Sequence, residues 1–299
     1  MRKVCFYTLA NKWAFATIHR GLEKELYKHG IIANSLDWTI PYSQDEFSLM
    51  NDTYDLFVTN PEAVVHLYNN GIPLEKIATV AHGQWDMLLA RRECGVNFYN
   101  SLYRFGVVSN ILKNKAAEFQ ISREPDVLTM GIHFDMFYKK PSKTLGRIGY
   151  AGAREVKNFF GNEIKRGHLV KEVVERSPVG LIEHGFYNWM CMPAYYNSVD
   201  AIVVSSTEES AGLPSMEAAA AGRLVLSTPV GYFEENGPRG GGIVLPLEAE
   251  AFKNSLAENI IRFSSDSEAY NKKCLEIQEF ARENYDWSRH IESWVRFLT

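Results

Sequence analysis

The residues of this chain best placed to do chemistry are Glu209 and Glu217 and the segment between them. The aliphatic run Ala201, Ile202, Val203 and Val204 reads as a buried strand. A small polar loop follows over 205–212, and a helix opens at Pro214, where a missing N–H costs nothing. Four alanines, Ala218 to Ala221, favour that helix and Gly222 ends it. The free N–H groups and the positive dipole end of such a helix form an anion site, and phosphate is the usual occupant. Gly212 lets a ligand approach the backbone closely. A carboxylate on each flank cannot favour phosphate, but it can accept hydrogen bonds from hydroxyl groups beside it. The arrangement suits a ligand with phosphate in its middle and polyols on both sides, such as a nucleotide-sugar. Two isolated glutamates at this spacing would fit ordinary helix-capping acids equally well. The order of strand, Gly-Leu-Pro, alanine-rich helix and glycine separates the two readings.

Other positions carry weaker signals. Ile148, Gly149, Tyr150, Ala151 and Gly152 read as a strand ending in a glycine turn, with Arg154 just beyond. Lys165, Arg166 and Gly167 precede the next helix. Two cations at a strand's carboxyl end can neutralise a leaving diphosphate. Lys157 competes with Lys165 for that place, because Phe159, Phe160 and Gly161 lengthen the connection. His82 ends another strand, and a lone histidine there is as often structural as functional. Lys12 and Trp13 after the first strand fit either a substrate-lining loop or a surface lysine beside a packed tryptophan.

The elements that must position these residues alternate along the chain. Strands are expected over 4–9, 31–36, 55–59, 77–82 and 105–109, with helices over 15–29, 61–68 and 110–119. The pattern restarts with strands over 147–151, 179–183, 201–205, 224–227 and 242–245. Helices over 168–176, 193–198, 214–221, 248–263 and 266–283 intervene and close the chain. This alternation implies α/β architecture with parallel sheets covered on both faces. A polar, proline-containing stretch over 138–143 reads as a linker, which divides the chain into domains at 1–140 and 141–299. Two dinucleotide-fold domains facing each other across a cleft are expected, with ligands beyond the carboxyl ends of the strands.

Composition narrows the partners. The 299 residues are 46% hydrophobic and 23% charged, as in a soluble globular protein. With 32 basic and 36 acidic residues the net charge is -4, which does not favour nucleic acid. No apolar run is long enough to span a bilayer, and the N-terminus lacks the apolar core of a secretion signal. The 4 cysteines are far apart, so neither a disulfide framework nor a zinc site is expected, and the cytoplasm is the default compartment. No Gly-x-Gly-x-x-Gly follows the first strand, which argues against a dinucleotide oxidoreductase.

The segment from Glu209 to Glu217 resembles the Glu-x7-Glu motif of retaining nucleotide-sugar glycosyltransferases with two Rossmann-like domains, the GT-B fold. The flanks agree: Tyr195, Tyr196 and Asp200 before it, and Thr228, Pro229, Gly231 and Glu234 after it. The resemblance is strongest over about 145–295. It implies that Glu209 touches the donor sugar and Glu217 holds the ribose. It gives Ser210, Ala211, Gly212, Leu213 and Gly152 to donor binding, Arg154 and Lys165 to the diphosphate, and His82 to the reacting sugar. Gly131 to Phe137 resembles the family's segment before the interdomain linker, with His133 in place of the usual aspartate and Phe137 packing at the hinge. Tyr285, Asp286, Trp287 and Ser288 resemble the start of a last helix that crosses back to the N-terminal domain.

What the resemblance implies is transfer of a sugar from a UDP- or GDP-sugar to an acceptor hydroxyl, with retention, no metal and no other cofactor. The acceptor would be a glycan, a lipid-linked or a small-molecule hydroxyl, and peripheral contact with the inner membrane face is compatible with this. A nucleotide-sugar epimerase and a non-catalytic nucleotide-sugar-binding subunit share the same architecture.

Overall fold

Runs that are apolar on both faces become parallel strands here, and amphipathic runs become the helices that cover them. The computed structural model describes residues 1–9, 13–150, 155–157, 161–184, 189–236 and 241–299. The chain divides into two compact units, one formed by Met1–Gly131 with Trp287–Thr299, the other by Ile132–Asp286.

The first unit opens with β1 (Arg2–Thr8), α1 (Trp13–Tyr27), β2 (Ile31–Asp37) and α2 (Gln44–Thr53). It continues through β3 (Leu56–Thr59), α3 (Pro61–Asn69), β4 (Ile77–Ala81), α4 (Gln84–Cys94), β5 (Arg104–Val107), α5 (Asn110–Glu118) and β6 (Asp126–Val127). The strands form a 6-stranded sheet in the order β2-β1-β3-β4-β5-β6. Every pair in it is parallel. Because β2 and β3 lie on opposite sides of β1, the winding reverses between β1 and β3. Neither α2 nor α4 was expected from the sequence, although Ser43 and Glu46 form a full capping box at the start of α2.

The second unit holds α6 (Phe134–Phe137), β7 (Arg147–Tyr150), β8 (Glu155–Lys157), β9 (Glu163–Arg166), α7 (Gly167–Val174), β10 (Gly180–Glu183) and α8 (Met192–Ser198). After these come β11 (Ala201–Val204), α9 (Leu213–Ala220), β12 (Leu224–Ser227), α10 (Tyr232–Asn236), β13 (Ile243–Val244), α11 (Ala249–Ser265) and α12 (Ser267–Asn284). Its 5-stranded sheet has the order β10-β7-β11-β12-β13, so the winding reverses between β7 and β11. β8 and β9 form a separate antiparallel pair where the sequence shows a lengthened connection.

The chain then returns to the first unit with α13 (Ile291–Leu298). Trp294 donates its indole N–H to the Thr129 carbonyl at 3.1 Å. Trp287 packs so tightly against Gly21 and Gly131 that a Cβ at either glycine would overlap it. This is the crossing-back helix that the resemblance implies, and the two Rossmann-like units give the expected fold class.

The change of unit falls at Gly131 rather than near 140. Ile132 bridges Asp286, and the Phe134 amide donates to Asp286 Oδ2 at 3.2 Å. Phe137 is buried edge-on against Tyr196, inside the second unit. The polar stretch 138–143 is bound to α12: Gln278 donates to the Lys139 carbonyl at 2.7 Å, and Ser142 Oγ lies 2.7 Å from Tyr270 Oη. Its polarity serves those hydrogen bonds.

Candidate functional site

β11 is buried along its whole length and delivers the chain to the carboxyl edge of the second sheet, beside β7. The loop that follows is fixed on several sides. Arg166 Nε donates to the Ser205 carbonyl at 2.8 Å. The Thr207 amide donates to the Ile164 carbonyl at 2.9 Å, and its hydroxyl to the Glu163 carbonyl at 3.0 Å. Thr228, at the end of β12, donates its hydroxyl to the Ser206 carbonyl at 2.5 Å. β9 and β12 thus grip the loop before Glu209 is reached. Glu209 Oε1 accepts from Ser206 Oγ at 2.8 Å and is ion-paired with Lys165 Nζ. The two charged side chains are 19% and 23% exposed, so both remain accessible to a ligand.

Gly212 caps α9 in the left-handed region, at φ 78° and ψ 48°, with open space where a Cβ would lie. Pro214 sits in the first turn, as the sequence requires. Behind the loop, Gly231 takes φ 58° and brings its Cα so near the backbone of Ala211 that a side chain would strike it. Tyr232 N–H donates to the Ala211 carbonyl at 3.1 Å across this contact. α9 is buried on nearly every side, which its small alanines allow.

Glu217 projects from that buried helix and is only 4% exposed. Its Oε2 accepts from the Tyr196 hydroxyl at 2.8 Å. Burial pushes its pKa up to about 7, against the opposing pull of the Tyr196 bond. The structure therefore joins Glu209 to Lys165 and Glu217 to Tyr196.

In the first unit, His82 follows the last residue of β4 and is half-buried. Its ring meets His19 edge-on at 6.5 Å. His19 stacks on Phe6 at 4.6 Å, and its Nδ1 lies 3.0 Å from Thr8 Oγ1. Burial lowers both imidazoles to about 3, so His82 is a neutral hydrogen-bonding group. Gly152, Arg154 and Lys12 lie outside the described residues. Lys157 stands exposed on β8, and of the two competing lysines Lys165 is the one that meets Glu209. Among the described residues, no three or more His, Cys, Asp or Glu side chains gather as a metal site. No described helix is long and apolar enough to cross a membrane.

Residues 161–266 match the family model described as glycosyl transferases group 1. Over that stretch the chain is a group 1 glycosyltransferase sequence. The whole chain has the GT-B fold. The crystal structure of HepE from Anabaena in complex with UDP and glucose is 14% identical, with a TM-score of 0.72 over 100% of this chain and 99% of that one. Sucrose-phosphate synthase from Thermosynechococcus elongatus is 12% identical, with a TM-score of 0.69 over 99% and 98%. The catalytic domain of starch synthase IV from Arabidopsis thaliana, bound to ADP and acarbose, is 10% identical, with a TM-score of 0.69 over 99% and 98%. At such identities the likeness concerns the fold. No curated protein matches the chain in sequence.

The group 1 stretch contains Lys165, Glu209 and Glu217 but not Arg154 or His82. Two residues around this site escaped the sequence reading. Tyr196 was noted only as flank, and its partner carboxylate lies on a different element. Arg166 is 7% exposed, with Nη1 donating to the Leu247 carbonyl at 2.5 Å and its guanidinium over Phe252. The doublet of Lys165 and Arg166 was the available signal, since neighbours on a strand face opposite ways.

Proposed function

We propose that this chain is a retaining glycosyltransferase. It moves a sugar from a UDP- or GDP-sugar to a hydroxyl of a glycan, a lipid-linked or a small-molecule acceptor. The observation that carries this reading is the loop gripped by β9 and β12, with Glu209 at its tip and α9 behind its left-handed Gly212. The group 1 match over the same residues supports it, as does a fold shared with proteins whose structures hold UDP or ADP.

In this reading the amides of Ser210, Ala211, Gly212 and Leu213, with Gly152, line the diphosphate, and Lys165 and Arg154 balance its charge. Glu209 receives hydroxyls of the donor sugar and Glu217 those of the ribose. The anomeric carbon–oxygen bond to the phosphate breaks, and its electron pair stays on the leaving diphosphate. The acceptor oxygen bonds to the same face of the anomeric carbon, and its proton passes to the leaving phosphate oxygen. Positive charge develops on the ring while the loop amides and cations hold the negative charge. His82 contributes a neutral hydrogen bond near the reacting sugar. No metal takes part, and the reaction runs in the cytoplasm, where the separated cysteines stay reduced.

A thermal-shift panel of UDP, GDP and ADP with their glucose, mannose and N-acetylglucosamine conjugates tests the donor class. A specific shift with a UDP or GDP compound is expected, and no shift with any of them overturns the reading. Release of nucleoside diphosphate should require an acceptor and persist in EDTA. Interconversion of donor sugars without an acceptor would make the chain an epimerase. Inversion at the product's anomeric centre by NMR would refute the retaining course.

A further inference from the structure

We propose that Asn60 is the hydroxyl-recognising residue of an acceptor-sugar site at the carboxyl edge of the first unit's sheet. This rests on the glycosyltransferase reading. Asn60 directly follows β3 and caps α3, yet its side chain makes no capping hydrogen bond. The Ala63 amide turns instead to the Asn60 backbone carbonyl at 3.1 Å. Asn60 is 4% exposed, and its side chain has no hydrogen-bond partner among the described residues. An asparagine at this position ordinarily accepts from the first turn of its helix. A buried amide left without a partner costs about 1–3 kcal/mol.

Its place in the fold gives that cost a purpose. β3 adjoins β1, and the winding reverses between them, so Asn60 stands at the sheet's switch point. His82 ends the adjoining strand β4 and is a neutral imidazole. Glu62, in the first turn of α3, raises the pKa of Asp86, in the first turn of α4, so the two helices begin near one another. These carboxylates supply negative charge where two helix N-termini would otherwise attract an anion. The surroundings therefore disfavour a phosphate. A primary amide offers two donors and an acceptor's lone pairs, the carboxylates accept, and a neutral imidazole does either. That set matches the hydroxyls of an uncharged sugar.

The test uses the full chain loaded with UDP, and methyl α- and β-glycosides of glucose, galactose and mannose as probes. Saturation-transfer NMR should show at least one glycoside bound to the wild type. Asn60→Ala, and Asn60→Ser as a shorter helix-capping variant, should weaken it by about tenfold, as for one lost hydrogen bond. Both variants should keep the thermal shift with UDP. Each should melt no lower than the wild type, because the amide has no partner to lose. Glycoside binding that is equal in the variants, or absent from the UDP-loaded wild type, overturns the proposal. So does a fall in melting temperature in both variants, which would mark Asn60 as structural. Failure of UDP to shift the wild type would instead count against the donor reading.

Discussion

The hydroxyl of Tyr196 donates to Glu217 Oε2 over 2.8 Å, with both residues sealed inside the second unit. The second glutamate of the motif is therefore a held group, oriented by an aromatic residue from α8. Its orientation is set before any ligand arrives, and its ionisation is opposed by burial.

Stability should depend on pH through Glu217. Its carboxyl is raised from an ordinary 4.5 to about 7, so the folded protein binds the proton more tightly than the unfolded chain. The contribution is full below about 4.5 and is lost as the pH rises through 7. Glu217→Gln should flatten this dependence and narrow the gap to the wild type by about 3 kcal/mol between those limits. Urea titrations at pH 5 and pH 8 measure it, and parallel curves for the two proteins would contradict it.

The pairing of Lys165 with Glu209 should be of modest energy, because both side chains are partly solvated. A double-mutant cycle with Lys165→Met and Glu209→Gln should give a coupling of about 1 kcal/mol in the free protein, weakening with added salt. Either single variant should lower sugar transfer by at least about tenfold while the thermal melt changes little. Unchanged transfer in both would remove this pair from the site.

Two glycines of the donor-site loop should respond differently to alanine. At Gly212 the added Cβ meets open space and only the left-handed backbone is strained, for about 1 kcal/mol. At Gly231 the Cβ would also lie 2.7 Å from the Ala211 carbonyl group, so Gly231→Ala should cost several times more. Chemical denaturation of the two variants settles the order.

Trp287 is 2% exposed and fills the space left by Gly21 and Gly131. Trp287→Ala should destabilise the first unit by about 3–5 kcal/mol. Hydrogen exchange should show the loss in β1 to β6, with β11 and β12 keeping their protection. Equal loss in both units would contradict the division of the chain.

Much of this molecule can be read from its residue pattern, for local reasons. β11, the loop and α9 are consecutive, so a strand signal, a left-handed glycine, a first-turn proline and an alanine run all report on one segment. Lys165 reaches Glu209 from β9, and nothing short-range in the sequence announces that pairing. The bond between Tyr196 and Glu217 is hidden for the same reason: it joins two helices across a strand. Asn60 escaped because asparagine before proline is an ordinary helix start, and only the structure shows that its amide leaves the helix uncapped. The linker was misplaced because a polar, proline-bearing stretch looks alike whether it hangs free or is bound along α12.

The return of Trp287 to the first unit bears on the order of assembly during translation. Ile132–Asp286 is a single unbroken stretch and can fold as soon as it clears the ribosome. The earlier part of the chain must wait, with the notch at Gly21 and Gly131 unfilled, until the final residues have been made. The unit begun first is the one completed last.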